Sequence, residues 1–148
     1  MIYIGADHRG FKLKTYLKRY LKNQLKLKYE DVGALKYDPT DDAPDFALKL
    51  SRKVSKKPTV DKGILICWTG HAMCITANKI KKIRAVEGYN IESAEFGRLH
   101  NNANVLCLAS KFLSEDHAVA IVKKFLETNF DGDSRLVRRD KKITKLEK

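Results

Sequence analysis

Cys67 is the residue of this sequence best suited to chemistry. It ends the apolar run Gly63-Ile64-Leu65-Ile66-Cys67 and precedes Trp68-Thr69-Gly70, a turn that opens a predicted helix. Such a turn presents free backbone N–H groups and the positive end of a helix dipole, which favour an anion. The same field lowers the pKa of a thiol, so Cys67 is predicted to act as a base or nucleophile. The alternative is a buried, inert cysteine, which Cys74 and Cys107 fit, because they fall within a helix and a strand.

Asp7-His8 places a carboxyl group and an imidazole directly after the apolar N-terminal run 1–6. This pair can transfer protons or hold a hydroxyl group, but an Asp at this position serves equally well as a cap for the next helix. The Cys and His spacings match no zinc pattern. The sequence contains neither a phosphate-binding Walker loop nor a G-x-G-x-x-G after the first strand, so neither a metal nor a nucleotide cofactor is predicted.

Short apolar runs alternate with amphipathic segments along the chain. The predicted strands are 1–6, 29–33, 60–67, 83–87 and 104–109, and the predicted helices are 11–25, 45–55, 71–82, 91–100 and 114–129, with a further helix in the tail. This order predicts the α/β class: a three-layer, Rossmann-like αβα sandwich with a five-stranded parallel sheet and a C-terminal helical tail. Ligands of such folds bind outside the carboxyl ends of the strands. Asp7, His8, the turn 67–70 and Lys111 should therefore meet there.

The composition is that of a folded but strongly basic chain. It has 148 residues, 30 Lys+Arg, 18 Asp+Glu, a net charge of +12 and 43% hydrophobic residues. We expect a single domain over residues 1–148. Nucleic-acid binding is our weakest interpretation, because lysine outnumbers arginine 22 to 8 and no recognised reader motif is present. The basic residues between 12 and 28 are instead predicted to form a solvated helix face.

The sequence gives no indication of a membrane or an oxidising compartment. No apolar run approaches the roughly 18–20 residues of a membrane-spanning helix, and the N-terminus lacks the basic segment of a signal peptide. The three cysteines are an odd number and do not indicate a disulfide framework. We therefore expect a cytoplasmic protein.

Several motifs follow one another over nearly the whole chain. They are Gly5-Ala6-Asp7-His8-Arg9-Gly10-Phe11, Gly63-Ile64-Leu65-Ile66-Cys67-Trp68-Thr69-Gly70, Ala77-Asn78-Lys79, Ile83-Arg84-Ala85 and His100-Asn101-Asn102-Ala103-Asn104-Val105-Leu106. In order and spacing they resemble type B ribose-5-phosphate isomerases, in the group that also contains allose-6-phosphate and galactose-6-phosphate isomerases. The resemblance implies a metal-free aldose–ketose isomerase that works through an enediolate.

The resemblance also implies roles for individual residues. Cys67 would move the proton between C2 and C1, Thr69 and His100 would assist ring opening, and Asp7 would hold a sugar hydroxyl. Backbone N–H groups along the loop would cradle the enediolate oxygens; this loop comprises Trp68, Gly70, His71, Ala72 and Met73. Asn101 would contact the sugar. The resemblance further implies a homodimer or a tetramer in which each site borrows residues of the partner, including His100.

The phosphate group of such a substrate requires cations. By resemblance these are His8, Lys111 (where the family has an arginine) and two arginines of the tail. If one residue is inserted before Arg135, then Arg135 and Arg139 match the family pattern; without the insertion, Ser134 takes the first arginine's place. We prefer the insertion. Arg135 and Arg139 are also four residues apart and would share one face of a helix.

The chain departs from the family pattern beside the proposed base. Trp68 and Ala72 stand where the family has small residues, with glycine at the position of Trp68; His71 stands at an apolar position, and Ala43 replaces a tyrosine near the sugar. The expected reaction is therefore isomerisation of a sugar phosphate, foremost ribose 5-phosphate to ribulose 5-phosphate. Two alternatives stay open: a six-carbon sugar phosphate as the substrate, or a catalytically silent relative that binds a phosphosugar.

Overall fold

The computed structural model describes residues 1–147, in which five strands and six helices alternate. In chain order the elements are β1 (Ile2–Ala6), α1 (Phe11–Asn23), β2 (Tyr29–Gly33), α2 (Ala43–Val54), β3 (Lys62–Cys67), α3 (His71–Ala77), β4 (Ala85–Glu87), α4 (Ile91–Asn101), β5 (Val105–Ala109), α5 (Glu115–Glu127) and α6 (Ser134–Thr144). The predicted α/β class and the C-terminal helix are confirmed.

The five strands form one parallel sheet in the order β2-β1-β3-β5-β4. From β1 the chain moves outward to β2, whereas β3, β4 and β5 all lie on the other side of β1. The strand order therefore reverses between β1 and β3. In open α/β sheets the ligand crevice lies at the carboxyl ends of the strands at such a reversal.

Helices cover both faces of the sheet and complete the predicted three layers. On one face, α1, α4 and α5 bury a cluster that includes Leu17, Ala94 and Phe125 against Ile4 and Ile64. On the other face, α2 and α3 bury Leu50 and Met73 against a cluster that includes Leu65, Cys67 and Val105. β3 is apolar toward both layers because it is the central strand, with β1 and β5 as its neighbours.

α3 is shorter than the predicted helix 71–82 and ends at Ala77. The cause is the next residue, Asn78, whose side chain binds a neighbouring strand. Its Oδ1 accepts the Ala85 N–H at 2.8 Å and its Nδ2 donates to the Ala85 carbonyl at 2.9 Å. Asn78 thus acts as an extra edge partner for β4 and draws the chain out of the helix toward the strand.

One lysine of α1 contradicts the predicted solvated face. The side chain of Lys14 is 1% exposed, and its Nζ lies 2.7 Å from Asp31 Oδ1 on β2 and also donates to the Ala34 carbonyl. Lys18 binds the other Asp31 oxygen at 2.7 Å. A buried ammonium requires such a partner, and this partner lies on a different element, so the pattern of α1 alone did not reveal it.

Each helix that follows a strand carries the chain from one end of the parallel sheet back to the other. We call the end at which the strands finish the carboxyl edge and the other end the amino edge. α4 starts after β4 at the carboxyl edge, and its 11 residues span about 16 Å back to the amino edge, where β5 begins at Val105. Among residues 1–147, no helix is long and apolar enough to cross a bilayer.

Candidate active site

The Cys67 thiol lies at the carboxyl end of β3 and is 4% exposed. The Gly70 N–H donates to its Sγ at 3.2 Å. Gly70 has φ +83°, a left-handed conformation that glycine adopts without strain, and this turns the loop back over the sulfur. The structure thus surrounds Cys67 with backbone donors, as the sequence predicted.

The pKa of Cys67, however, is raised, so the expectation of a lowered thiol pKa was wrong. Burial is the largest cause and raises the pKa, because it disfavours the charged thiolate. The N–H groups of Met73, Gly70 and Thr69 oppose this effect, and the carboxyl group of Asp7 adds to it. Burial thus favours the protonated thiol of Cys67, while the neighbouring N–H groups would stabilise the thiolate once it forms.

Asp7 follows β1 and is buried beside Cys67. One of its oxygens accepts the Gly10 N–H at 3.0 Å, so Asp7 fixes the β1–α1 loop rather than a helical N–H of α1. A Cβ at Gly10 would come within 2.3 Å of the Ile66 carbonyl oxygen; only glycine lets this loop lie against the end of β3. Burial raises the pKa of Asp7, partly opposed by the Gly10 hydrogen bond and by His8.

His8 contacts two residues of the β2–α2 loop that the sequence analysis missed. Its Nδ1 lies 2.7 Å from Asp41 Oδ1, and its backbone N–H donates to the same oxygen at 2.9 Å. Tyr37 packs edge-on against the imidazole, with ring centroids 6.4 Å apart. Asp41 is 33 residues from His8 in sequence, and no local signal could have paired them.

Trp68 is 42% exposed and lies between two cations at the carboxyl edge. The Arg9 guanidinium is 5.0 Å and the Lys111 ammonium 5.4 Å from the centroid of its ring. Two hydrogen bonds join the three loops: the Lys111 N–H donates to the Trp68 carbonyl at 3.0 Å, and the Ser110 hydroxyl donates to the Arg9 carbonyl at 3.0 Å. Lys111 is therefore at the same edge as His8, as predicted, and Arg9 is a further cation there.

The first turn of α3 supplies the remaining loop residues of the predicted site. Met73 is buried, Ala72 is exposed, and Thr69 is half-buried next to Cys67. The imidazole of His71 is exposed and its Nδ1 is hydrogen-bonded to Glu87 at the end of β4. The side chain of His71 is thus held by Glu87, and its backbone N–H lies in the first turn of α3.

The other predicted site residues lie at the amino edge. His100 and Asn101 close α4, and both are exposed; the imidazole stacks on Phe96 with ring centroids 4.9 Å apart. Since Cys67 is at the carboxyl edge, the structure does not bring His100 and Cys67 together within one chain. Because the imidazole of His100 is exposed, it is accessible to a molecule outside its own chain.

Arg135 and Arg139 share an exposed face of α6, and this helix is also fixed to the amino edge. The Asp131 N–H donates to the Leu99 carbonyl in the last turn of α4 at 3.1 Å. Arg84, just before β4, forms an ion pair with Asp140 at 2.8 Å and donates to Thr144 Oγ1 at 2.6 Å. Beside them lies an open cavity of about 730 Å³ lined by residues that include Asn101, Ile143 and Leu146.

The predicted site residues thus fall into two sets. We call Asp7, His8, the loop 67–73 and Lys111 the thiol set, and His100, Asn101, Arg135 and Arg139 the amino-edge set. Each set is held by hydrogen bonds between several elements.

Asp7, His8 and Asp41 form the one group in residues 1–147 whose ligand atoms could hold a metal ion, all within 4.8 Å of one another. Hydrogen bonds already engage these side chains: His8 Nδ1 with Asp41, and an Asp7 oxygen with the Gly10 N–H. Each of the three side chains is already engaged by one of these hydrogen bonds, and we assign no metal to them.

The reversal of strand order with a buried thiol among backbone donors places the chain in the class of Rossmann-like α/β proteins with a small-ligand site at the carboxyl edge. More particularly, the chain belongs to the Ribose/Galactose Isomerase family, whose sequence profile matches residues 2–145. The resemblance to type B ribose-5-phosphate isomerases is thereby confirmed.

Individual relatives agree with this assignment. The chain is 42% identical over 147 residues to a probable ribose-5-phosphate isomerase B of Mycoplasma genitalium, covering 99% of this chain and 95% of the relative. It is 37% identical over 134 residues to D-erythrulose-4-phosphate isomerase 2 of Mycolicibacterium smegmatis, covering 90% and 88%. The crystal structure of the M. genitalium ribose-5-phosphate isomerase B with bound ribulose 5-phosphate superposes with a TM-score of 0.93 at 41% identity, covering 97% and 93% of the two chains.

Proposed function

We propose that this chain, a sugar-phosphate isomerase by its family, interconverts ribose 5-phosphate and ribulose 5-phosphate with the Cys67 thiolate as the base. The observation that carries the proposal is the position of Cys67: a buried thiol at the reversal of strand order, with the Gly70 N–H 3.2 Å from its sulfur. Relatives named for this activity, and one solved with the product bound, support it.

The chemistry follows from what a carbon acid needs. The C2 proton of an open-chain aldose passes to the Cys67 sulfur, and the electron pair left behind forms an enediolate with the C1 carbonyl. The same proton then returns to C1, while the O2 hydroxyl proton is lost and O1 gains one, so that a ketose results. Fixed N–H donors beside the developing negative charge stabilise it without reorganisation. We assign this role to the N–H groups of the loop 68–73, one of which already donates to the Cys67 sulfur.

We further propose that each active site is built by two copies of the chain. Cys67 and His100 lie at opposite edges of one sheet, yet both types of group are needed: a base at C2 and an acid–base group for the ring oxygen. His100 is exposed on its own chain. A two-fold arrangement in which the amino-edge set of one copy faces the thiol set of the other would complete two equal sites.

The same arrangement gathers the cations for the phosphate. His8 and Lys111 come from the thiol set, and Arg135 and Arg139 from the partner's amino-edge set. Both arginines are exposed, so neither requires a partner within its own fold. Guanidinium groups one helical turn apart suit the geometry of a phosphate, which accepts paired N–H donors.

The orientation of Trp68 favours an active enzyme over a silent phosphosugar-binding relative. Its ring is directed at Arg9 and Lys111 and is 42% exposed. Because the Trp68 ring packs against these cations, it does not occupy the space that a substrate needs beside Cys67. A ring packed over Cys67 would instead have favoured the silent relative.

The test is an isomerisation assay with erythrose 4-phosphate, ribose 5-phosphate, allose 6-phosphate and galactose 6-phosphate. We expect the highest kcat/KM for ribose 5-phosphate and at least a thousandfold loss in Cys67→Ala, the order of magnitude expected when a catalytic base is removed. Cys74→Ala is the matched control and should retain activity. Faster turnover of a four-carbon or six-carbon substrate would show that the proposed substrate, ribose 5-phosphate, is wrong. The absence of turnover with every substrate, or an active Cys67→Ala variant, would overturn the proposal.

A further inference from the structure

We propose that Asp41 is a positioning residue for His8, and that the two form a carboxylate–imidazole pair that binds the phosphate group of the substrate. This inference rests on the proposed function, in which His8 belongs to the phosphate-binding cations. It adds a residue of the β2–α2 loop to a site otherwise built by the loops after β1, β3 and β5.

Asp41 holds His8 by two hydrogen bonds to one oxygen. The His8 backbone N–H reaches Asp41 Oδ1 at 2.9 Å and the ring Nδ1 reaches it at 2.7 Å. One bond fixes where the chain passes, and the other fixes the rotation of the ring. A carboxylate accepts but does not donate, so the Nδ1 proton must lie between the two residues. The opposite nitrogen, Nε2, is then the one directed at a ligand.

The β2–α2 loop is built to hold Asp41 in place. Asp38 accepts the Thr40 N–H at 2.9 Å and the Thr40 hydroxyl at 2.7 Å, which forms the turn that leads to Asp41. Tyr37 packs edge-on against the imidazole and also against Phe11 of α1, with centroids 6.4 and 6.2 Å apart. The β2–α2 loop therefore contacts the imidazole ring through Asp41 and Tyr37, and Tyr37 in turn packs against α1.

The Asp41 carboxylate is costly to keep where it is. Its side chain is only 11% exposed, and no protein donor among residues 1–147 reaches its second oxygen, Oδ2. Burial of a carboxylate oxygen without a protein partner opposes folding. This unfavourable burial is consistent with a functional role for the carboxylate, whose negative charge lies in contact with His8.

The pair suits a phosphate dianion. To donate to such an anion through Nε2, the imidazole must carry its second proton, and a carboxylate at Nδ1 stabilises that imidazolium. The charged groups that face His8 are Asp7 on the β1 side and Asp41 and Asp38 on the loop. Of these, only Asp41 touches the ring.

The kinetic test compares Asp41→Asn with Asp41→Ala, using ribose 5-phosphate as substrate and inorganic phosphate as a competitive inhibitor. Asn keeps an oxygen for Nδ1–H but loses the charge. We expect the KM, and the inhibition constant of inorganic phosphate, to rise about tenfold in Asp41→Asn and further in Asp41→Ala, the size of effect that charge-assisted hydrogen bonds have. We expect kcat to change by less than about threefold.

Asp42→Asn is the matched control. It removes the same charge one residue away, from an exposed side chain that makes no capping hydrogen bond, and should leave the KM unchanged. An unchanged KM in Asp41→Ala would overturn the proposal, because Asp41 would then have no role in binding. An equal rise of the KM in Asp42→Asn would also overturn it, because the charge of the loop would then act without contacting His8.

A second readout does not depend on activity. In ¹⁵N-labelled protein, the neutral His8 ring should carry its proton on Nδ1 in the wild type and in Asp41→Asn. In Asp41→Ala the proton should shift toward Nε2, the form that a free histidine side chain prefers. A wild-type ring protonated on Nε2 would overturn the pairing even if the enzyme is active. The opposite result is also informative. If the wild type has the Nδ1 tautomer and the Asp41 variants bind phosphate more weakly, but the wild type isomerises no substrate, only the proposed isomerisation is contradicted.

Discussion

At the scale of single residues, Cys67 combines two opposing effects. Burial raises its pKa, while the N–H groups of Met73, Gly70 and Thr69 lower it without reversing the shift. A thiol with a raised pKa is mostly protonated at neutral pH, and its thiolate fraction grows as the pH rises. A base that must take a proton from carbon gains strength as its pKa rises, so the raised pKa costs thiolate population but provides basicity.

We therefore predict that alkylation of Cys67 by iodoacetamide accelerates with pH and reaches half its maximal rate above the ordinary thiol pKa of about 8.5. The measurement is the mass-spectrometric yield of the labelled Cys67 peptide at each pH, with the Cys107 peptide as an internal standard for a wholly buried thiol. The kcat/KM for isomerisation should rise over the same pH range. A half-maximal pH below that of a free thiol would show that the backbone donors dominate burial.

Asp7 offers a separate check on the same balance. Its carboxyl group raises the pKa of Cys67. In Asp7→Asn, the alkylation curve should shift to lower pH, because a negative charge beside the sulfur has been removed. The shift should be partial, since burial is the larger cause and is unchanged. A curve that moves to higher pH would contradict the assigned sign of this interaction.

At the scale of elements, the contact between α1 and β2 depends on the buried pair of Lys14 and Asp31. Burial lowers the pKa of Lys14. For Asp31, burial alone would raise the pKa, but hydrogen bonds from Lys14, Lys18 and the Gly33 N–H bring it below its ordinary value. Asp31→Asn should cost about 3 kcal/mol of unfolding free energy in urea at pH 7, because it leaves the Lys14 ammonium buried without a counter-charge.

The pH dependence of that loss has a definite sign. A carboxyl group with a lowered pKa in the folded state contributes stability above its unfolded pKa of about 3.9, and this contribution is lost as the pH falls through the folded value. The urea midpoints of wild type and Asp31→Asn should therefore differ at pH 7 and converge in acid. Glu30→Gln on the same strand is the control: its partner Lys53 is solvent-exposed, and the midpoint should barely move.

The elements themselves follow largely from the sequence. β2 was predicted at its observed bounds, and β3 was predicted as a strand, because a short, fully apolar run leaves little ambiguity. α3 was overextended because its end is decided by Asn78 binding β4, a contact outside the local pattern. α5 begins near its predicted start because Ser114 caps it, accepting the His117 N–H at 3.1 Å.

The site was predictable only where local geometry decides it. Cys67 and its donors follow from one strand–turn–helix unit, so the residue types and the turn were sufficient. Asp41 was missed because its partner His8 lies across the fold, and Lys14 was placed on the surface because Asp31 was not yet known to face it. The sign of the thiol pKa shift was wrong for a related reason: the turn is visible in the sequence, but the depth of burial is a property of the packed molecule.

At the scale of the whole molecule, the decisive feature is the distance between the two edges of the sheet. The thiol set and the amino-edge set are each well held within one chain, and they lie at opposite edges of the sheet, which α4 connects over a length of about 16 Å. Much of the remaining positive charge is spread over exposed lysines, such as Lys141, Lys142 and Lys145 of the last helix and the turn after it. The cations assigned to the phosphate are a small part of the net charge of +12.

If two copies build each site, inactive variants should complement one another. In a mixed dimer of Cys67→Ala and His100→Ala, one site lacks both groups and the other has both intact. Random pairing of equal amounts, by co-refolding from urea, should therefore restore about one quarter of the wild-type kcat per chain. The control pairs Cys67→Ala with the Cys67→Ala/His100→Ala double variant, which leaves every site without a thiol and should restore nothing. Recovery in the first mixture alone requires a shared site. No recovery from two inactive variants would mean that Cys67 and His100 serve the same chain's site, and activity of His100→Ala alone would place His100 outside the catalytic centre.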